Sequence, residues 1–420
     1  MLRFSLGLLA VMAGAQDTRN VTEPKIPRSC AVLTANLSSH ELDEGKPDTQ
    51  RIQKAIDNCK PGQAVKLKAT SIDDAFLSGP LELRAGVTLL IDVNTTLFAS
   101  RNPRDYDVSP GKCGIVDKSG RGCKPLIAGN GVADAAVMGD GAIDGRGWAN
   151  WWDLAEQARA GGNQNCPRLI VLSHCDNFTL YRITLKNSPN FHVYYGAGNG
   201  FTAWGVTIKA PKKARNTDGI DPGSSSNVTI THCSISTGDD QVAIKAGGHC
   251  SHMTIAHNRF YTGHGISIGS ETYGGADSIR VTDLSIDGAD NGIRIKSNSG
   301  RGGLVRDVVY EDVRIRDTKN PILMDTDYAH FGTGGDKPPT FTDIILRNVQ
   351  VLTSGKITLQ GYDATHRLGI RFDNVHLTDP KIFATHADIF LGPGPVNFRP
   401  TGEDVIVSGT VHSTPKLPLQ

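Results

Sequence analysis

The stretch VTITHCSIS, residues 228–236, is followed 25 residues later by MTIAHNRFY, residues 253–261. Each sets apolar residues at alternate positions, which turns one face of an extended chain inward and the other outward. Working outward, FTL (178–180), FTA (201–203), IRV (279–281) and VRD (305–307) open similar units, with starts 23 to 27 residues apart. Within the units a second run recurs: QVAIK (241–245), GISIG (265–269), GIRIK (292–296). FTDIIL (341–346) and LGIRF (368–372) continue the series. A fixed period of this length signals a stacked array. A coil of some 25 residues with about three short strands describes an all-β fold, a single right-handed parallel β-helix. Leucine-rich repeats share the period but need a leucine ladder, which is absent, and propeller blades are longer.

Two stretches interrupt the period and read as loops: 147–167, carrying Trp148, Trp151 and Trp152, and 328–339, rich in Gly, Asp and Pro. One stretch reads as helix. Asp48 is an N-cap candidate, and Ile52, Ala55 and Ile56 follow at helical spacing. Such a helix would cover the open N-terminal end of a solenoid.

The chain has 420 residues, more than one ordinary core accommodates, but a solenoid grows by adding coils. Its 47 glycines and 6% aromatics suit frequent tight corners. With 44 basic and 43 acidic side chains the formal charge is +1, so composition gives no support for nucleic-acid or membrane binding. Residues 1–15 read as a secretory signal: Arg3, an apolar run from Phe4 to Met12, and the small-residue site at Ala13 to Ala15. The expected mature domain is 16–420, secreted, soluble and monomeric. Eight cysteines suit an oxidising compartment, and sequence-local pairing (30–59, 113–123, 166–175, 233–250) is the simplest of several connectivities. No C-x-x-C pair suggests zinc. Sequons stand at Asn20, Asn36, Asn94, Asn177 and Asn227.

Stacking brings residues about 25 apart into contact. Four polar motifs fall on consecutive units: NTDGID (216–221), GDDQ (238–241), GHG (263–265) and RIK (294–296). Asp239 and His264 each lie 11 residues after their unit's opening residue. Asp218, Asp239, Asp240, His264, Arg294 and Lys296 should therefore share one outer face. Three crowded aspartates cannot all ionise easily, so one should stay protonated as an acid. Glycoside hydrolysis needs such an acid and a second carboxylate to activate water or attack directly. Arg294 and Lys296, two apart on a strand, suit the carboxylate of a uronic acid. Taken singly, each has a plainer reading: aspartates as turn residues, His264 as a solvated corner, Arg294 and Lys296 as an exposed strand face. Their joint placement favours chemistry.

These four motifs, in this order and spacing, are similar to those of glycoside hydrolase family 28, the polygalacturonases. GAIDGRGW (141–148) and the residues around Asp290 match as well. The resemblance implies a right-handed parallel β-helix that hydrolyses α-1,4-galacturonosyl bonds of polygalacturonate or pectin with inversion, without cofactor or metal. Carried across, Asp239 resembles the general acid, and Asp218 and Asp240 the pair that positions and deprotonates water. His264 would support the acid, Asn216 would sit in the sugar site, and Arg294 and Lys296 would bind the galacturonate carboxylate. Tyr328 is a sugar contact by the same reading, and Lys245 serves a neighbouring subsite. Gln241 departs from the pattern, where cysteine often follows the paired aspartates. Stacking also sets Asp218 and Asp239 one coil apart, about 5 Å between backbones, a spacing the carboxylate rule gives to retaining enzymes. The rival functions are a rhamnogalacturonan or xylogalacturonan hydrolase of the same family, a pectate lyase-like eliminase using calcium and a basic side chain, and a noncatalytic carbohydrate-binding solenoid.

Overall fold

The computed structural model of the protein describes residues 16–328 and 334–411. The proposed signal sequence and part of the 328–339 insertion lie outside those residues.

The backbone winds as a right-handed solenoid whose strands form parallel ladders on three faces. One face matters most here: β1 (Ile170–Ser173), β2 (Val193–Gly196), β3 (Ile220–Gly223), β4 (Val242–Ile244), β5 (Ile266–Ile268), β6 (Asn291–Lys296) and β7 (Asn320–Asp325) pair in that order. Ile170, Val193, Ile220, Val242, Ile266, Ile293 and Ile322 are in register, and each is fully buried. A second face stacks Phe178, Phe201, Val228, Met253 and Ile279. The Phe178 and Phe201 rings lie parallel, with centroids 6.3 Å apart. The third face stacks Leu185, Ile208, Ile235 and Phe260. Alternation in the sequence thus becomes one continuous apolar column, because the inward residue of each strand meets its equivalent above and below.

The corner between the second and third faces is left-handed. His232, His257, Asp283 and Asp312 take positive φ there. Asn, Asp and His tolerate this conformation better than other side chains, which is why the repeat punctuates itself with them.

Several expectations need correction. Ile279 pairs with Val308, not Val305, which pairs with Ala276; the extra residues form a bend before the strand resumes. The 147–167 stretch holds a helix, Trp151–Gln157, with Trp151 buried in the main core. The N-terminal helix runs Thr49–Asn58 and buries Ile52 and Ile56 against the first coils. Asp48 precedes it but makes no side-chain cap. Its carboxylate instead pairs with Arg51 and accepts from the Leu77 amide at 3.2 Å.

Two of the four guessed disulfides form, Cys30–Cys59 and Cys113–Cys123. Cys166, Cys175, Cys233 and Cys250 are buried free thiols. An extended strand, β1, separates Cys166 from Cys175, and the segment between Cys233 and Cys250 crosses two faces of the coil. Neither pair meets the few-ångström Cβ separation a bridge demands. Burial pushes the thiols up, to about 12 for Cys166 and Cys233 and about 11 for Cys250.

One feature had no sequence signal. Residues 17–23 run across successive coils of the second face. The Asp17 amide donates to Thr254 at 3.0 Å, Thr229 donates to the Asp17 carboxylate at 2.7 Å, Arg19 donates to the Phe201 carbonyl at 2.8 Å, and Tyr181 donates to Glu23 at 2.7 Å. None of the described helices is long and apolar enough to cross a membrane.

Candidate active site

The site lies along the face formed by β3 to β6, where the aspartate and histidine motifs sit at the strand entrances and Arg294 and Lys296 lie within β6. Close coil contact at these entrances explains the motif glycines. A side chain at Gly238 would overlap the Ala214 carbonyl of the preceding coil. At Gly265, φ is +80° and a Cβ would overlap the Gly292 carbonyl. Gln241, which replaces the expected cysteine, is fully buried. It donates to the carbonyls of Tyr261 (2.8 Å) and Thr262 (3.2 Å) and accepts from the Gly265 amide. Hydrogen bonds therefore join the turn of the paired aspartates to the turn of His264, where a bridge was missing.

The six charged residues expected together are together. Asp240 is buried and accepts from Arg294 through both oxygens (3.0 and 3.3 Å), from Lys296 (3.0 Å) and from Ser267 (2.9 Å). Arg294 also donates to Ser267 at 2.9 Å. Two cations against one carboxylate leave one positive charge in excess. Asp239 is more open: its Oδ1 accepts from the Asp240 amide at 2.9 Å and lies 3.0 Å from His264 Nδ1. Its Oδ2 accepts no hydrogen bond among the described residues. His264 is anchored by the bond from its backbone amide to the Asp239 carbonyl, 2.9 Å. Its Nε2 lies 3.9 Å from Asp290, which Lys212 (3.2 Å) and Lys319 (3.0 Å) hold in place.

Asp218 differs in register and in chemistry from the expectation. Ile220 pairs with Val242, so two residues back Asp218 aligns with Asp240, not Asp239. The backbone spacing argument for a retaining pair therefore does not apply to Asp218 and Asp239. One Asp218 oxygen is 3.3 Å from Lys245 Nζ, and the other has no hydrogen-bond partner among the described residues. The Asp218 carbonyl accepts from the His192 amide (2.8 Å) and lies 3.0 Å from His192 Nδ1. His192 is buried, and burial pulls its pKa to about 4, so it stays neutral.

Lys245 was expected at a neighbouring subsite. Its ammonium bridges Asp218 (3.3 Å) and Asp221 (3.4 Å) over the Phe191 ring, 4.8 Å from the centroid. Asn216 is half-buried with φ 54° beside Asp218. Tyr328 lies under the Lys296 ammonium, 5.1 Å from ring centre to Nζ, so it belongs to the same cleft. Sequence reasoning assigned no role to Asp221, Ser267, His192 or Asp290. Asp221 was inside the quoted NTDGID motif, and Ser267 stands one coil before Arg294 in register. Asp290 lay in flanking residues that match the family pattern, and His192 carried no signal of its own.

The electrostatics favour the protonated form at two buried carboxyls, Asp218 and Asp221, and not at Asp239. Burial, then the charge of Asp239, raises Asp218 to about 7, against the pull of Lys245. Burial also raises Asp239, but the hydrogen bond and charge of His264, with Lys296 and Arg294, outweigh it and hold this carboxyl below its ordinary range. At Asp240 burial is likewise outweighed, by Arg294 and Lys296. His264 is the mirror image: burial lowers it and Asp239 raises it further, to a net rise. Asp239, Asp240 and His264 each place one donor atom within 4.8 Å of the others, close enough for a metal ion. Arg294, Lys296 and His264 itself already neutralise those carboxylates.

A parallel β-helix with clustered aspartates beside an Arg–Lys pair is the architecture of a polysaccharide-cleaving glycoside hydrolase. The model of glycosyl hydrolases family 28 matches residues 59–388, and the chain belongs to that family. An endo-polygalacturonase of Pectobacterium carotovorum subsp. carotovorum is 45% identical over 384 residues, covering 89% of this chain and 92% of that protein. A polygalacturonase of Ralstonia nicotianae is 40% identical, covering 95% and 91%. The solved polygalacturonase from Erwinia carotovora ssp. carotovora superposes with a TM-score of 0.84 at 42% identity, over 89% of this chain and all of that one.

Proposed function

We propose that this chain hydrolyses α-1,4-galacturonosyl linkages of polygalacturonate and pectin, with inversion at the anomeric carbon. One observation carries the reading: carboxylates, an imidazole and two cations from four consecutive coils line one cleft. Arg294 and Lys296 keep a net positive charge after Asp240 is counted, and this receives a uronate carboxylate.

Asp239 is the proton donor in this scheme. The Asp240 amide and His264 occupy Oδ1, which leaves Oδ2 to carry the proton toward the leaving oxygen. In the unliganded site the shared proton rests on Asp218. A sugar carboxylate on Arg294 and Lys296 adds negative charge where those cations hold Asp239 down, so its pKa rises. Interacting carboxyls titrate as a group, and the proton passes from Asp218 to Asp239. Asp218 and Asp240 are then ionised and together orient and deprotonate the attacking water. Asn216 and Tyr328 contact the sugars, and Lys245 positions Asp218.

The proposal extends to the setting. The mature protein, 16–420, is a single domain that works outside the cell as a monomer, after removal of residues 1–15. N-terminal sequencing of exported protein should begin near Gln16, and light scattering should return the monomer mass.

The activity is tested by incubating the protein with polygalacturonate in excess chelator. New reducing ends without absorbance from unsaturated product are expected. Unsaturated ends, or dependence on calcium, would point to elimination. Faster release from rhamnogalacturonan or xylogalacturonan would move the activity within the family.

A further inference from the structure

Two coils before Asp218, the same position of the coil carries a cation. Ile170, Val193 and Ile220 are in register, so two residues back Arg168, Phe191 and Asp218 align. The ladder already runs at that level: the Leu169 amide donates to the Phe191 carbonyl (3.0 Å) and the His192 amide to the Asp218 carbonyl (2.8 Å). Arg168 is half-buried. Its guanidinium lies 4.5 Å from the centre of the Phe191 ring and 5.2 Å from that of Tyr194. Phe191 thus has two cations against it, Arg168 and Lys245.

The two cations differ in one respect. Lys245 is tied to Asp218 and Asp221. The Arg168 guanidinium makes no hydrogen bond or ion pair among the described residues. Five N–H donors on a rigid, always-charged plane, oriented by two rings, are thereby left without an acceptor. Burial lowers the pKa of Arg168, and the carboxylate of Asp221 opposes it. Arg121, on the loop closed by the Cys113–Cys123 disulfide, is near enough to add its positive charge. Arg168 sits two coils before Asp218, roughly 10 Å at the strand spacing, whereas Arg294 sits three coils after it. Cations therefore flank the aspartates on both sides along the solenoid.

We propose that Arg168 binds the carboxylate of a uronic acid unit beyond the two sugars that flank the scissile bond, so that the cationic track of the cleft extends toward the N-terminal coils. The proposal rests on the galacturonan reading above. A guanidinium already stacked on Phe191 and Tyr194 loses little freedom when a carboxylate arrives, and the fork accepts it through two parallel bonds.

The test is a series of oligogalacturonates of increasing length, cleaved by wild type, Arg168→Met and Arg168→Lys. Methionine keeps an unbranched apolar stem against Phe191 and removes the charge. The ratio of wild-type to Arg168→Met kcat/KM should grow with chain length, to on the order of 10- to 100-fold for substrates that reach Arg168. Raised salt should shrink that ratio, and Arg168→Lys should recover part of the loss. A ratio that is the same at every length, whether near one or large, would overturn the proposal. Thermal melting separates a large uniform loss caused by misfolding, and that result also counts against a binding role. A wild type that released no reducing ends from any oligomer would sink the galacturonan reading itself.

Discussion

Lys245 reaches back one coil to Asp218, Nζ to Oδ2 3.3 Å, and the same ammonium lies 3.4 Å from Asp221. Two buried carboxyls share one cation. Burial pushes Asp221 well above its ordinary value, with Lys245 opposing, and raises Asp218 to about 7. At Lys245 burial lowers the pKa, and Asp221 and Asp218 more than reverse it. The lysine is what permits Asp218 to ionise in a nearly dry position.

Lys245→Met should therefore raise the pKa of Asp218 further. In the free protein the proton later passed to Asp239 rests on Asp218, so the alkaline limb of the kcat/KM profile should move to higher pH while the substrate's own charge is unchanged. A limb that stays in place would remove Lys245 from the positioning role.

The stability of the fold should carry the same signature. Asp218 has its folded pKa, about 7, above its ordinary 3.8. The protonated form is favoured by folding, so its contribution is present below the ordinary value and lost as pH rises through about 7. Asp218→Asn cannot titrate. Its melting temperature relative to wild type should climb as pH goes from about 4 to about 8. A constant difference across that range would mean that Asp218 is not proton-loaded in the free protein.

Lys296→Ala tests the carboxylate pocket. Loss of a charged hydrogen bond to the substrate should raise KM for polygalacturonate on the order of 10- to 100-fold and flatten its dependence on salt. Because Lys296 also holds Asp240 at 3.0 Å, kcat should fall as well. An unchanged KM would contradict the assignment.

Inversion is visible in the first product. Proton NMR during early hydrolysis should show newly formed reducing ends in the β configuration, with the α form appearing only through mutarotation. Initial α ends would require a covalent intermediate and a different division of labour among the aspartates.

The solenoid was legible because its signal is periodic: an inward residue every second position and a coil of about 25 residues survive single exceptions. The grouping of Asp218, Asp239, Asp240, His264, Arg294 and Lys296 followed from that period. What the period could not supply was register to the residue. Val305 read as a unit start, yet Val308 takes that place, and the pairing of Ile220 with Val242 aligns Asp218 with Asp240. The position of the proton depends on burial and on which cation faces which carboxylate, and Lys245 facing Asp218 is set by the direction of a side chain, not by spacing. The four free thiols illustrate the same limit, since nearness in sequence is not nearness around a coil. The 17–23 segment, whose partners include Thr254 and Thr229, belongs with them.

The proposed acid offers the most direct test. Reducing ends released from polygalacturonate should be compared for wild type and Asp239→Asn, with equal melting temperatures confirming intact folds. Asparagine keeps the shape and cannot donate the proton, so turnover should fall by about 10²–10⁴-fold or more. Near-normal turnover by Asp239→Asn would contradict the account at its centre, for the leaving oxygen would then be protonated by some other group.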